Sequence, residues 1–273
     1  MQTEALPAEV HLVVREHVAH IRLDRPRVHN ALSPEMIRQL TDIWKRFMED
    51  RACRVAIVSG TGASFCSGMD LRRTNPGFGW KNPEDAPPGY EEAGAGERRS
   101  LNYIPPADCY KPIIGAAHGA TMGGGLELYL SCDIRYAAQG TRFAFPEVKR
   151  GLLPSSGATF WLSRICGYGR TIDLLSTGRE IDAEEGLRLG LVDRVLPQQE
   201  LYSSAEGLAA AVAANAPLAV QAVKEAVRRS LGLGLQDSLN ISENLSRILR
   251  YTEDYREGAL AFAEKRAPKF EGR

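Results

Sequence analysis

Two apolar segments near the centre of the chain constrain its fold more than any other feature. They are RVAIVSG at residues 54–60 and PIIGAAHG at residues 112–119, and each ends at a glycine. Uninterrupted apolar, β-branched runs of this length are typical of strands buried on both faces of a sheet. The sequence therefore predicts an α/β fold with these strands at the centre of its sheet, and 273 residues suffice to cover such a sheet.

The first 50 residues carry clear local signals. Residues 10–24 contain two short β-type runs around a polar turn, which predicts a hairpin. Ser33 is a favourable N-cap residue, and Pro34 follows it at the first helical position. Apolar residues then recur at helical spacing, namely Met36, Ile37, Leu40, Ile43, Trp44, Phe47 and Met48. We expect an amphipathic helix there.

The last third of the chain has a mainly helical pattern, which begins at Asp182, a candidate N-cap. We therefore expect an α/β core at residues 1–197 and a C-terminal helical region at residues 198–273. Residues 75–99 are rich in Pro, Gly and charged side chains, which predicts a long surface loop. This loop is either a lid over a bound ligand or a segment without such a role.

Composition argues against several classes of partner. Lys plus Arg and Asp plus Glu each total 34, so no net field attracts nucleic acid or an anionic membrane. No apolar stretch approaches the roughly 20 residues of a bilayer span, and the first residues do not resemble a signal peptide. Five cysteines without a CxxC pair disfavour disulfides and zinc, so we expect a cytoplasmic protein without a metal. His17 and His20 are expected in one strand, pointing to opposite faces, where they cannot share a metal.

Common nucleotide-binding and hydrolase motifs are absent. Residues 60–65 have phenylalanine where a dinucleotide fingerprint needs its third glycine, and residues 119–125 lack the Lys-Ser/Thr pair of a P-loop. Ser64 and Ser67 each lack one glycine of the G-x-S-x-G elbow of serine hydrolases.

The stretch TMGGGLELYL at residues 121–130 places three glycines before a predicted helix. A glycine N–H at a helix start is accessible to a ligand, and the helix dipole favours an anion there. If the anion forms only during a reaction, as an enolate does, two convergent N–H groups act as an oxyanion hole. The glycine-containing turn at residues 66–70 is a plausible source of the second N–H. Alternatively, the glycines only permit close packing of the helix.

Two glutamates are candidates for proton transfer. Glu127 lies among leucines in the first turn of the predicted helix, where burial would raise its pKa and the helix dipole would lower it. Its alternative interpretation is an exposed helix glutamate. Glu147 follows a β-type run and is predicted where a strand passes into a loop. Two carboxylates beside an oxyanion hole would position water and move protons next to a carbonyl.

This combination of residues resembles the enoyl-CoA hydratase/isomerase (crotonase) family over nearly the whole chain. The matching segments are DRPRVHNALS (24–33), VAIVSGTGASFCSGMDL (55–71), KPIIGAAHGATMGGGLELYLSCDIRYAA (111–138), TRFAFPEVKRGLLP (141–154) and EDYREGALAFAEKRAPKF (253–270). The last two are also similar to the carnitinyl-CoA dehydratase branch. The resemblance implies a crotonase-like spiral of ββα units with a C-terminal helical trimerisation region, assembled as a homotrimer or a dimer of trimers.

The resemblance also implies roles for individual residues. An acyl-CoA substrate would place its thioester carbonyl between the N–H groups of Met69 and Gly124, and Glu127 and Glu147 occupy the positions of the two catalytic glutamates of hydratases. Further positions are implied near the substrate or its CoA moiety: Val28, Ala31, Ser67, Asp70, Leu71, Phe262 and Lys265. The last two would come from a neighbouring subunit, although Lys265 also fits an ordinary solvated lysine. No cofactor is implied, because CoA is part of the substrate.

The reaction expected from these roles is the addition of water to a 2-enoyl-CoA. Ser155 and Ser156 stand where family hydratases commonly have glycine, which bears on water placement and the size of the acyl pocket. The alternatives are dehydration of a hydroxyacyl-CoA, isomerisation, hydrolysis, carbon–carbon cleavage, or a homologue without catalysis. A glycosidase with paired carboxylates is a third class, but it gives no reason for the glycines.

Overall fold

A computed structural model describes residues 8–74 and 103–273 of the chain. The predicted surface loop at residues 75–99, whose aromatic residues Phe78, Trp80 and Tyr90 could serve a lid, lies outside the described residues. The strands and helices named below all belong to the two described ranges.

The larger sheet has six strands in the spatial order β1-β2-β3-β4-β6-β9. They are β1 (Val10–Arg15), β2 (Val18–Leu23), β3 (Val55–Gly60), β4 (Ile113–Ala117), β6 (Ile134–Ala138) and β9 (Arg194–Leu196). Only the β1–β2 pair is antiparallel, which confirms the predicted hairpin. Strands β3 and β4 are almost fully buried and pair at the centre, as their apolar sequences predict.

One detail of the hairpin differs from the prediction. The expectation that His17 and His20 share a strand is wrong, because Glu16 and His17 have φ values of 47° and 68° and form the turn between β1 and β2. His20 does lie on β2, where its Nδ1 is 2.6 Å from the hydroxyl of Tyr202. The polar turn thus uses His17 in a left-handed conformation that a regular strand excludes.

A second sheet of three short strands lies beside the first. It contains β5 (Ala120–Met122), β7 (Arg142–Ala144) and β8 (Ile181–Asp182), in the order β5-β7-β8. Strands β5 and β7 are parallel, so their carboxyl ends meet at one edge of this sheet. The two segments that follow them in the chain, which carry Glu127 and Glu147, therefore begin at neighbouring positions.

Ten α-helices and two 3₁₀ segments complete the described residues. The helices are α1 (Pro34–Glu49), α2 (Leu71–Thr74), α3 (Gly124–Leu130), α4 (Ala158–Cys166), α5 (Tyr168–Thr177), α6 (Ala183–Leu189), α7 (Gln198–Ala213), α8 (Pro217–Ser230), α9 (Leu235–Leu249) and α10 (Glu253–Glu264), and the 3₁₀ segments are Pro26–Val28 and Pro146–Arg150. Both predicted N-caps are confirmed. The Ser33 hydroxyl accepts from Met36 N at 3.0 Å, and the Asp182 carboxylate accepts from Glu185 N at 2.7 Å.

The core has two layers, one on each face of the larger sheet. Helix α7 covers one face with Leu201, Ala205, Ala209 and Ala213, which recur every four residues and are buried. The other layer contains α1, α3 and the aromatic cluster Tyr129, Phe143 and Phe65. Every residue of α3 is buried, so this short helix is enclosed by the core rather than laid on its surface.

Side-chain contacts attach the C-terminal helices to the α/β part. The guanidinium of Arg54 donates to the carbonyls of Ala213 and Phe270, at 2.9 and 2.6 Å. Lys224 of α8 forms an ion pair with Asp133 at 2.6 Å, and its side chain is 7% exposed. Helices α7 and α8 and the segment after α10 thus contact the α/β part of the same chain. The boundary at residue 197 stays a prediction.

Within the two described ranges, no single helix is long and apolar enough to cross a membrane. The pair α7 and α8 meets the length and composition criteria only when both helices are taken together, and they are bent by 106°.

Alanine substitutions at Gly115 and Gly207 are expected to change the free energy of unfolding in opposite directions. A Cβ atom on Gly115 would lie 2.9 Å from Cδ2 of the fully buried Tyr129, whereas one on Gly207 of α7 would meet no atom within 4 Å. We expect Gly115→Ala to lower the free energy of unfolding by about 1–3 kcal/mol through overpacking. Gly207→Ala should raise it by about 0.5–1 kcal/mol, because alanine favours the helix. Urea denaturation measures both, and equal effects of the two substitutions would contradict this description.

Candidate active site

Two glycine-containing segments approach each other at the start of α3. Gly123 follows β5 with a φ of 51°, and Gly68 has a φ of 93° in the turn before α2. A Cβ atom on Gly68 would lie 2.9 Å from the carbonyl oxygen of Met122 and 3.4 Å from the nitrogen of Gly124. Both the backbone conformation and the close approach therefore require glycine at position 68.

The main chain next to this contact leaves two N–H groups unused. Leu32 N donates to Gly68 O at 2.8 Å and Asp70 N donates to Leu32 O at 3.0 Å, so the intervening Met69 N–H takes no part in this bridge. Gly124 is the first residue of α3 and has no intrahelical acceptor. In the part of the chain that the structure describes, neither N–H finds an acceptor.

Glu127 is buried and accepts three hydrogen bonds. The hydroxyl of Tyr103 donates to Oε2 at 2.6 Å, and the main-chain N–H groups of Ser156 and Ala158 donate to Oε1 at 2.6 and 3.3 Å. Burial raises the pKa of Glu127, and these three donors, together with the side chain of Ser156, act in the opposite direction by favouring the carboxylate. The predicted burial of this glutamate is confirmed, with a side chain that is 3% exposed.

Glu147 lies on the 3₁₀ segment directly after β7, close to the position predicted for it. Its Oε1 is 2.6 Å from the place where a Cβ of Gly123 would be, so the carboxylate contacts the helix start. Its Oε2 is buried and has no hydrogen-bond partner among the described residues. Burial raises the pKa of Glu147, and the negative charge of Glu127 raises it further.

Tyr103 and Leu32 complete the surroundings of Gly124, and neither was predicted. A Cβ atom on Gly124 would lie 3.1 Å from Cδ1 of Leu32 and 3.1 Å from the hydroxyl of Tyr103. No sequence signal marks Tyr103, because it is 24 residues from Glu127 and follows no motif. Leu32 lies within the segment DRPRVHNALS that carries the family resemblance, but its apolar side chain suggested only the core.

The residues implied to contact CoA fall into two groups. Five of them are gathered beside Met69: Val28, Ala31, Ser67, Asp70 and Leu71. The Ser67 hydroxyl donates to Val28 O at 3.3 Å. Arg25, which was not predicted, donates to the Ala31 carbonyl and to the Asp70 carboxylate, so these groups are held in one place.

Phe262 and Lys265 form the other group, at the end of α10. Phe262 is 89% exposed, and Lys265 ends the helix in a left-handed conformation with its side chain in solvent. Within residues 8–74 and 103–273 the ammonium of Lys265 makes no hydrogen bond or ion pair. Their role toward CoA stays a prediction.

Over the same ranges, no group of three His, Cys, Asp or Glu side chains is arranged to hold a metal ion. All five cysteines are free and buried. The chemistry offered by the residues at the start of α3 is therefore that of carboxylates, a phenol and main-chain N–H groups.

A family model described as enoyl-CoA hydratase/isomerase matches residues 14–273. The chain belongs to the enoyl-CoA hydratase/isomerase family. The family predicted from sequence motifs is thereby confirmed, and so is an α/β fold of the crotonase type with helices at its C-terminal end.

Individual relatives cover almost the whole chain. It is 39% identical to an (E)-benzylidenesuccinyl-CoA hydratase of Thauera aromatica over 96% of this chain and 99% of the relative. A carnitinyl-CoA dehydratase of Proteus mirabilis is 36% identical over 97% and 98% of the two chains. A solved enoyl-CoA hydratase of Bacillus anthracis superposes with a TM-score of 0.86 at 32% identity, covering 97% of this chain and 100% of that one. The names of these relatives differ in acyl group and in reaction direction.

Glu127→Gln should stabilise the folded protein at neutral pH. Because burial raises the pKa of Glu127, its contribution to stability is fully present below the unfolded-state pKa and is lost as pH rises through the folded-state pKa. Glutamine cannot ionise, and its carbonyl still accepts from Ser156 and Ala158. Thermal unfolding should give a higher Tm than wild type at pH 7.5 and a smaller difference at pH 4.

Glu257→Gln is the control, because it is expected to change the Tm at pH 7.5 in the opposite direction. The exposed Arg266 guanidinium lowers the pKa of Glu257 to about 2, so its contribution is present above the unfolded-state pKa and is lost as pH falls. This variant should have a lower Tm than wild type at pH 7.5. A lower Tm for Glu127→Gln at that pH would show that burial of the Glu127 charge is not a net cost.

Proposed function

We propose that this protein is an enoyl-CoA hydratase that adds water reversibly, in a syn sense, to the double bond of a 2-enoyl-CoA. The observation that carries the proposal is the convergence of Glu127 and Glu147 on one glycine-rich helix start. Membership of the family implies an acyl-CoA substrate, and two carboxylates at one site supply both the base and the acid that hydration needs.

In this proposal the thioester carbonyl accepts hydrogen bonds from the N–H groups of Met69 and Gly124. Negative charge develops on that oxygen when water adds to Cβ, because the electrons of the double bond move toward the carbonyl. Preorganised N–H donors stabilise the resulting enolate more than they stabilise the neutral ground state. The absence of acceptors for these two donors in the described residues supports this role.

The two glutamates have different surroundings, which supports different roles. Three donors favour the carboxylate form of Glu127, whereas Oε2 of Glu147 is buried without a donor and favours the protonated form. We therefore assign Glu127 as the base that takes a proton from water while its oxygen bonds to Cβ. Glu147 gives its proton to Cα of the enolate. Glu127 then releases the proton it took from water and Glu147 takes one up, so both glutamates regain their starting forms before the next turnover.

Dehydration is the second candidate. The reverse reaction eliminates water from a 3-hydroxyacyl-CoA through the same enolate, with the two glutamates exchanging roles. The similarity to a carnitinyl-CoA dehydratase, at 36% identity over nearly the whole chain, favours it. A site with both glutamates in place supports either direction, whereas isomerisation needs only one of them.

Binding of the CoA moiety is assigned to the main chain near Val28 and Ala31 and to Ser67, Asp70 and Leu71. Arg25 supports this surface by holding both Ala31 and Asp70. Phe262 and Lys265 complete the site from a neighbouring subunit, which accounts for an aromatic side chain that is 89% exposed on α10.

Activity is tested by mixing the protein with crotonyl-CoA and with longer, branched or aryl-substituted 2-enoyl-CoAs. Hydration removes the conjugated thioester absorbance. We expect turnover by wild type and losses of about 10²–10⁴-fold in both Glu127→Gln and Glu147→Gln, as for removal of a general acid or base. Glu200→Gln, at an exposed position on α7, is the matched control and should retain full activity. CoA esters that bind without turning over would leave the family intact and refute the hydratase assignment.

The proposed assembly is a homotrimer or a dimer of trimers. The C-terminal helices expose many large apolar residues, which include Val223, Val227, Leu235, Leu239, Ile248, Leu260 and Phe262. Such residues are expected at interfaces between copies of a chain. Light scattering after gel filtration should give about 90 kDa for a trimer of the 29.9 kDa chain, or twice that mass for a dimer of trimers. A mass of one chain would contradict the assembly and the contribution of Phe262 and Lys265 from a second subunit.

A further inference from the structure

Tyr103 is a buried residue that connects helix α1 of the core to Glu127 in the candidate active site. Its side chain is 6% exposed, and its main-chain carbonyl accepts a hydrogen bond at 3.0 Å from Nε1 of Trp44, which is buried in α1. Its hydroxyl is 3.1 Å from the position that a Cβ atom on Gly124 would occupy, and it donates to Oε2 of Glu127 at 2.6 Å. The hydroxyl therefore lies against Gly124, whose N–H group is proposed to receive the thioester carbonyl, as well as against the carboxylate.

The hydrogen bond from Tyr103 limits where a water molecule can bind Glu127, because a carboxylate has few acceptor sites. A carboxylate offers about four lone-pair sites, two on each oxygen. Ser156 and Ala158 fill those of Oε1, and Tyr103 fills one of Oε2. The side chain of Ser156 is a further hydrogen-bond donor to this carboxylate, so a water molecule that reaches Oε2 shares this oxygen with the phenol. Because the Tyr103 hydroxyl occupies one direction of approach to Oε2, a water molecule must approach this oxygen, and give up its proton to it, from another direction.

Toward Glu127, Tyr103 acts as a donor. Burial raises the pKa of its hydroxyl, and the adjacent charge of Glu127 raises it further, so a phenolate does not form beside the carboxylate. A neutral phenol that donates to an anion is a charge-assisted hydrogen bond, which is shorter and stronger than one between neutral groups. The 2.6 Å separation agrees with this type of bond.

We propose that Tyr103 is a positioning residue of the reaction: its hydroxyl donates to Glu127 Oε2 and fixes the direction in which that oxygen receives the proton of water. This inference rests on the proposed hydration or dehydration of an acyl-CoA. It adds a third side chain to the two glutamates, and it predicts a specific kinetic signature. The effect falls on the chemical step because Tyr103 acts through Glu127 and not through the CoA-binding surface.

The test compares Tyr103→Phe with Tyr129→Phe. The first substitution keeps the ring and the main-chain bond to Trp44 and removes only the hydroxyl on Glu127. Tyr129 is the matched control, because it lies on the same helix as Glu127 and its buried hydroxyl has no partner in the described residues. We expect kcat to fall about 10- to 100-fold in Tyr103→Phe, with KM within about twofold of wild type, the size expected for losing one hydrogen bond to a charged group. Tyr129→Phe should leave both constants unchanged.

The pH profile separates positioning from a merely structural role. Loss of the hydroxyl removes a bond that favours the carboxylate, so Glu127 should protonate at higher pH and the acidic limb of the kcat profile should move upward. A profile that superposes on wild type, or a fall in kcat that Tyr129→Phe reproduces, would overturn the proposal. An increase in KM at constant kcat would also overturn it, because it would place Tyr103 in substrate binding.

A measurement without substrate keeps this inference distinct from the hydratase assignment. Carboxyl-¹³C glutamate labelling and NMR titration, with Glu127→Gln to assign the resonance, follow the ionisation of Glu127 directly. An upward shift of its titration in Tyr103→Phe supports the positioning contact even if no enoyl-CoA reacts, and in that case only the hydratase assignment fails. An unchanged titration overturns the role of Tyr103, whatever the activity of the wild-type protein.

Discussion

The contact between the turn at Gly68 and the start of α3 is the constraint on which the site depends. A side chain on Gly68 would collide with the Met122 carbonyl, and one on Gly123 would collide with the Glu147 carboxylate. Two isolated bridges, from Cys66 to Thr121 and from Leu32 to Met69, extend the same contact along the main chain. Three segments that are distant in sequence therefore meet with almost no space between them. The two unused N–H groups lie at this contact, because the bridge to Leu32 skips Met69 and Gly124 is the first residue of its helix.

The electrostatics of the site oppose the stability of the fold. An unpartnered carboxylate oxygen on Glu147 and a charged side chain on a completely buried helix each have a desolvation cost. Apolar contacts around α3 offset this cost: Tyr129 stacks on Phe143 with centroids 5.5 Å apart and meets Phe65 edge-on at 5.8 Å. The helix is therefore anchored through its aromatic face while it presents Glu127 to the site. Retaining costly polar groups in a well-packed setting is typical of sites whose groups are kept for chemistry.

Patterns among neighbouring residues predicted much of the fold. The features that could not be predicted from the sequence depend on contacts between residues that are distant in the chain. Buried strands, the hairpin and the two caps depend on neighbours within a few residues, so their patterns are visible in the chain. The hydrogen bond from Tyr103 to Glu127 spans 24 residues and has no local pattern. Ser156 raised a question because a side chain replaces glycine there. Its main-chain N–H, which any residue except proline supplies, donates to Glu127 at 2.6 Å, and its side chain is an additional donor that glycine would lack. Strand β5 is only three residues long, too short for periodicity to predict, whereas β7 was marked by its aromatic β-type run.

The proposed carbonyl site consists of main-chain groups, and this has an evolutionary consequence. Among substitutions at positions 69 and 124, only proline deletes the N–H group itself, whereas exchanging Glu127, Glu147 or Tyr103 removes neither of these donors. In this proposal, main-chain groups bind the thioester and side chains determine the reaction, although both belong to the same short segments of the chain. A lineage can replace a proton donor, lose it or add another while the activated ester stays bound in the same orientation. Such separation permits one scaffold to diversify its reactions through single substitutions.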